Sequence, residues 1–106
     1  MKYYVVAEMQ VTDASWVADY VAHVTPLMER HGGRYLTRTS HAEVLEGERP
    51  RPKVLVITEW PSREAAMAFY DGEEYRPYRQ NRRAGAINEL LLVPGEDITG
   101  AANIPG

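Results

Sequence analysis

The stretch Val54-Leu55-Val56-Ile57-Thr58-Glu59-Trp60-Pro61-Ser62 constrains this chain more than any other. Its β-branched and aromatic residues are apolar on both parities as far as Glu59, which predicts a central strand covered on both faces. A proline and a helix-capping serine then close the strand and open a helix. Glu59 is a charge at the end of an apolar face. A carboxylate buried without partners is costly, so its surroundings are the first place to look for chemistry.

The rest of the chain supplies partners for that strand. Tyr3 to Val11 alternates, with Tyr3, Val5, Ala7, Met9 and Val11 on one face and Tyr4, Val6, Glu8 and Gln10 on the other. Asp13 is placed to cap a helix from Ala14 to His31, whose stripe is Trp16, Val17, Tyr20, Val21, Val24, Leu27 and Met28. Pro26 predicts a bend or break in its last turns, and Gly32-Gly33 its left-handed end. Arg34 to Leu45 reads as a second strand with a bulge at Ser40-His41, and Gly47 to Pro52 as a surface loop. A short helix comes next, from Arg63 to Tyr70. Asp71 and Glu74 have capping-box spacing for another helical segment to about Ala84, restarted at Pro77. Ile87 to Val93 is the last strand.

The order β-α-β-β-α-β, with right-handed crossovers, predicts an α+β ferredoxin-like fold: a four-stranded antiparallel sheet with helices on one face and the first and third strands in the centre. Residues 1–94 form this domain, and residues 95–106 are a tail or an arm that wraps a partner. The uncovered face, with Tyr4, Val6, Leu55, Ile57 and Leu90 and Leu92 or their neighbours, is too apolar to stay wet. The chain is therefore expected to pair with itself into a dimeric α/β-barrel whose pocket belongs to the assembly. A net charge of -3 argues against a nucleic-acid partner, and no stretch is apolar enough for a membrane span. The lack of cysteine fits a reducing cytoplasm and removes thiolate metal sites.

Tyr4-Val5-Val6-Ala7-Glu8, Val11-Thr12-Asp13, Gly32-Gly33-Arg34-Tyr35-Leu36-Thr37-Arg38, Glu43-Val44-Leu45-Glu46-Gly47, Glu59-Trp60-Pro61-Ser62, Ala68-Phe69-Tyr70 and Glu74-Tyr75 together carry a family resemblance. The chain resembles, through about Gly95, the small bacterial family numbered 1330 among the domains of unknown function. The resemblance implies a dimeric α/β-barrel similar in fold to antibiotic-biosynthesis monooxygenases, polyketide-type cyclases, muconolactone isomerase-like proteins and haem-degrading enzymes. It transfers no activity. Thr39-Ser40-His41 departs from the glycine-containing turn of relatives, and the tail runs past their usual end.

Three groups of residues are candidates for chemistry. Glu8 and Glu59, expected on the uncovered face near one end of adjacent strands, form a carboxylate pair in which one member has a raised pKa and serves as acid or base. Arg38 is expected to reach Glu59 and to neutralise it or hold a substrate anion. His41, near the mouth, is a candidate base. Trp16, Tyr20, Tyr70, Tyr75 and Tyr78, with Tyr35 of the second strand, are candidates to hold a flat organic ligand, and Arg82 of a basic helix flank to dock its anion. Against each stands a plainer role: ion pairs that lock the dimer, surface histidines, aromatic core and a solvated helix face. No local histidine spacing suits a metal, and no cofactor is expected. The sequence favours a cofactor-independent small-molecule enzyme using acid–base chemistry on an aromatic or polyketide-like substrate, as a cyclase, isomerase or monooxygenase-like protein. The alternative is a non-catalytic binding or structural dimer.

Overall fold

The computed structural model describes residues 1–100 of the chain. Strand β1 (Tyr3–Val11) leads through a 3-10 turn (Ala14–Trp16) into helix α1 (Val17–Arg30). Strands β2 (Arg34–Thr39) and β3 (Val54–Trp60) come next, then helices α2 (Arg63–Tyr70) and α3 (Arg76–Gly85) and strand β4 (Ala86–Pro94). A second 3-10 turn spans Ile98–Gly100. The strands pair antiparallel in the order β2-β3-β1-β4, so the first and third lie in the centre, the ferredoxin-like arrangement. Among the described residues no helix is long and apolar enough to cross a membrane.

Register fixes which side chains share a face. Tyr4 pairs with Glu59, Val6 with Ile57 and Glu8 with Leu55, and across the other edge Tyr4, Val6 and Glu8 meet Val93, Leu91 and Glu89. These form the outer face. On β4 the neighbours Leu91 and Val93 are outward, whereas Leu90 and Leu92 face the helices. The inner face carries Tyr3, Val5, Ala7, Thr58 and Trp60, packed against Val24, Leu27 and Met28 of α1, Ala66 and Phe69 of α2, and Tyr75.

Local signals explain most boundaries. Asp13 accepts from the Ser15 backbone N–H at 2.9 Å, and Ser62 accepts from Ala65 N–H at 3.0 Å. Gly32 takes φ +85°, and the Gly32 and Gly33 N–H groups close onto Glu29 and Met28 carbonyls. Gly33 is also required by space, since a Cβ there would lie 2.6 Å from the Trp60 ring. Pro77 sits in the first turn of α3 as expected.

Four expectations change. Helix α1 passes through Pro26 without a break, because Pro26 and Ala22, whose carbonyl loses its donor, both face solvent. The second strand stops at Thr39, and its irregularity falls between Tyr35 and Thr37 rather than at Ser40-His41. Asp71 ends α2 instead of opening a capping box, and Glu74 pairs with Arg30 at 3.1 Å. The last strand is longer by a residue at each end than its apolar run.

The Gly85 carbonyl accepts from the Thr12 and Asp13 backbone N–H groups at 2.9 and 3.1 Å and from Trp16 Nε1 at 3.2 Å. That cluster pins the indole against α3, where a Cβ on residue 85 would overlap it. Gly85→Ala is expected to lose about 1–3 kcal/mol in denaturant unfolding through overpacking. An unchanged midpoint would show that Trp16 can move aside.

Candidate functional site

The carboxylates come first, because the sequence placed chemistry there. Glu8 and Glu59 do share the outer face, but register sets them four residues apart along the sheet, at opposite ends. At ~3.3 Å per residue they cannot act as a pair. Each has its own cations instead. Glu59 accepts from Lys2 Nζ at 3.0 Å and Arg34 Nε at 3.2 Å, and its side chain is only 13% exposed. Glu8 holds Arg49, which the β2–β3 loop carries across the outer face; Arg49 Nη1 donates to Oε2 at 3.0 Å. The hydrogen bonds from Lys2 and Arg34 hold the Glu59 carboxyl below its ordinary range, and that from Arg49 does the same for Glu8. The raised pKa expected of one of them is absent. A depressed carboxyl stabilises the fold above its unfolded value of 4.5 and loses that contribution as pH falls through the folded value. Glu59→Gln is accordingly expected to flatten the acid side of the stability–pH curve, read by thermal unfolding between pH 3 and 7. Unchanged acid sensitivity would remove Glu59 from the ion-pair role.

Arg38 does not reach Glu59. Arg34 is Glu59's partner in register, and the irregularity at Leu36 then resets parity, so that Arg38 pairs with Val56 and turns to the inner face. There its guanidinium carbon lies 3.8 Å from the centroid of the Tyr35 ring. His41 is exposed and is held through its backbone N–H to Thr39 Oγ1 at 3.0 Å. Tyr78 stacks on His23 at 5.6 Å between ring centroids and packs, half-buried, against the core.

The remaining candidates converge. Trp16, Tyr20, Tyr35, Arg38, Tyr70, Tyr75 and Arg82 all line one cavity of about 140 Å³ between the inner face and the helices of a single chain. Small side chains explain the space: Ala7 and Val56 on the sheet and Ala66 on α2 leave a slot that the rings of Trp60, Phe69 and Tyr75 border without filling. Phe69 stacks on Tyr75 at 4.3 Å and tilts on Trp60 at 5.1 Å, fixing two walls. This slot lies inside one chain, on the other side of the sheet from the pocket expected between two sheets.

Polar groups in this slot are few and aligned. Tyr20 and Tyr75 hydroxyls lie 2.5 Å apart, and Arg82 Nε donates to the Tyr75 oxygen at 3.3 Å. Two hydroxyls joined by one hydrogen bond leave one phenolic hydrogen unspent. Arg82 is only 3% exposed, and its buried Nη2 has no hydrogen-bond partner among the described residues. Burial, then the nearby Tyr75, pushes the Tyr20 phenol far above the ordinary tyrosine range, and burial also raises Tyr35. Neither phenol ionises near neutral pH. None of the described residues lining the slot is an aspartate, glutamate or histidine. The site offers hydrogen-bond donors and positive charge but no conventional base.

Residues 2–96 match the family described as Domain of unknown function (DUF1330). The chain belongs to this family. No curated protein matches it in sequence. Among solved structures, this DUF1330 chain is similar to the RPA0582 protein of unknown function from Rhodopseudomonas palustris, with 20% identity, TM-score 0.73, and coverage of 91% of this chain and 84% of that one. It is also similar to SnoaB, a cofactor-independent oxygenase from Streptomyces nogalater, with 15% identity, TM-score 0.64, and coverage of 91% and 94%. An antibiotic biosynthesis monooxygenase gives 13% identity, TM-score 0.58, and coverage of 92% and 100%. At these identities the likeness establishes the fold. Within the DUF1330 chain, spacing gives no sign of the Tyr20–Tyr75 pair, whose members are 55 residues apart.

Proposed function

We propose that this protein is a cofactor-independent enzyme for a small, flat, mainly apolar molecule, and that it works by stabilising negative charge on one oxygen of that molecule. The observation that carries the reading is Arg82: a buried guanidinium with an unspent donor, beside a tyrosine pair with one unspent hydroxyl hydrogen, in an otherwise apolar slot. An unpaired buried donor is costly, and one on a residue that lines a cavity is a ready partner for a ligand. Donors aimed in advance at a developing oxyanion are a large source of rate enhancement in a site that excludes water. The reaction class is transfer of an acidic C–H or O–H proton from the substrate to solvent water, giving an enolate or phenolate that then cyclises, isomerises or reacts with dioxygen. The cofactor-independent oxygenase SnoaB shares this fold and supports that class. Arg82 holds the oxyanion, Tyr75 and Tyr20 donate or relay its proton, and Arg38 adds charge at the rim. Glu8, Glu59 and His41 stand outside this site.

The test is exchange of acidic C–H hydrogens of simple enolisable aromatic ketones in D₂O, followed by NMR with wild-type protein and Arg82→Met. Faster exchange with wild type alone supports the enzyme. A second reading, binding without turnover, is favoured by the missing base. It is the result if the ketones bind and exchange at the buffer rate.

We further propose that a second copy of the chain covers the outer face. Around Tyr4, Val6 and Ile57 that face continues into Leu91, which is 66% exposed in the single chain, and Ile87, which is 63% exposed. Sedimentation is expected to give about twice 12.0 kDa at micromolar concentration. Ile57→Lys should abolish that species or cause aggregation, because it buries an unpaired charge. A stable wild-type monomer would overturn the barrel and leave the slot in place. The segment 95–106 is proposed as an arm toward the partner. Ile98 is 41% exposed, and the other expected anchor, Ile104, lies outside the described residues.

A further inference from the structure

Charge, size and the missing base together restrict what kind of molecule the slot accepts, and this restriction rests on the functional reading above. Charge is the first constraint. Arg38 and Arg82 both line the cavity, and no described lining residue is acidic, although the protein as a whole carries a net charge of -3. Two positive groups facing an apolar, aromatic-walled space favour an anion over a neutral guest. Size is the second. A dry apolar cavity of about 150 Å³ is filled by one benzene ring, and the slot here is about 140 Å³. The third constraint is the absent base. Since the Tyr20 phenol is held protonated near neutral pH and no described lining residue is a carboxylate or imidazole, a guest must bring its own negative oxygen or ionise on its own acidity.

We infer that the slot binds single-ring aromatic acids, carboxylic or phenolic, as monoanions, with the ring against the wall that Phe69 and Trp60 form together and the charged oxygen paired with the Arg82 guanidinium and the free phenolic hydrogen of the Tyr20–Tyr75 pair. Arg82 is the specificity-determining residue for charge, and Ala7 and Ala66 set the room for one ring. A fused multi-ring skeleton, as in a polyketide, is excluded unless the helical layer moves.

Trp16 and Trp60 both line the slot, so binding is readable from their fluorescence. The full-length protein is titrated with benzoate, its neutral analogue benzyl alcohol, and 2-naphthoate. Benzoate is expected to bind roughly tenfold or more tightly than benzyl alcohol, the scale of a buried charge-assisted hydrogen bond, and more tightly than 2-naphthoate. Arg82→Met should erase the preference for benzoate over the alcohol, and Arg82→Lys should keep part of it. In wild-type protein alone, benzoate should shift the Arg82 Nε–H resonance, which keeps the test independent of whether the variants fold. Equal binding of benzoate and benzyl alcohol, tighter binding of 2-naphthoate, no binding of any of them, or an unmoved Arg82 resonance would each overturn the assignment. Failure of the catalytic reading looks different: benzoate binds as described while ketone exchange stays at the buffer rate. Conversely, rapid exchange with two-ring ketones bound in preference would keep the enzyme and overturn the single-ring anion.

Discussion

Trp60→Ala is expected to destabilise the chain by about 3–5 kcal/mol, the cost of removing a buried aromatic and leaving its cavity. Trp60 is 2% exposed, closes one end of β3, and packs on Phe69. Its Nε1 donates to Thr58 Oγ1 at 2.9 Å, so the substitution also strips a partner from a buried hydroxyl. The surroundings cannot easily collapse into the gap, because Gly33 offers no side chain to move in and the slot already lies on the other side. Typical domains hold about 5–15 kcal/mol in total, so the variant should unfold at a much lower denaturant midpoint, or fail to fold at 37 °C. A loss below about 1 kcal/mol would mean that the aromatic layer repacks, and that the walls assigned to the slot are not fixed.

Arg82→Met is expected to act in the opposite direction on stability. The guanidinium is buried, one nitrogen has no partner among the described residues, and its bond to Tyr75 is long at 3.3 Å. Replacing such a group with an apolar side chain of similar length relieves desolvation, and a gain of about 1–3 kcal/mol is expected if the Tyr20–Tyr75 bond survives. Anion binding should be lost in the same variant. A residue that weakens the fold and serves a ligand leaves this paired signature, more stable and less functional. If Arg82→Met instead lowers the unfolding midpoint, Arg82 is a structural residue and the slot loses its anion site.

Much of the architecture was legible because β-strand chemistry is local. The apolar run of Val54 to Trp60, the alternation of Tyr3 to Val11 and the caps at Asp13, Ser62 and Gly32 act through their neighbours in sequence, and the structure obeys them. The family motifs were legible for the same reason, as short words around those turns. The features hidden from the sequence depend on register. Glu8 and Glu59 lie on the predicted face, yet parity says nothing of how far apart pairing sets them. One irregularity at Leu36 moves Arg38 to the opposite face, and register gives Glu59 to Arg34. The aromatics and Arg82 could be read as a set by residue type, but their convergence depends on the small residues Ala7 and Ala66, which carry no signal of their own. A capping box was expected at Asp71 because spacing alone cannot tell the end of one helix from the start of the next.

Whether the slot holds a negative oxygen against Arg82 is read most simply with 4-nitrophenol, because its anion is yellow. At a pH just below the ionisation of the free phenol, adding protein should deepen the yellow colour in a saturable way, since a neighbouring positive charge favours the ionised form. Arg82→Met should not do so. A bound phenol whose colour fades, or deepens equally with the variant, would contradict the assignment of Arg82 as the anion's partner.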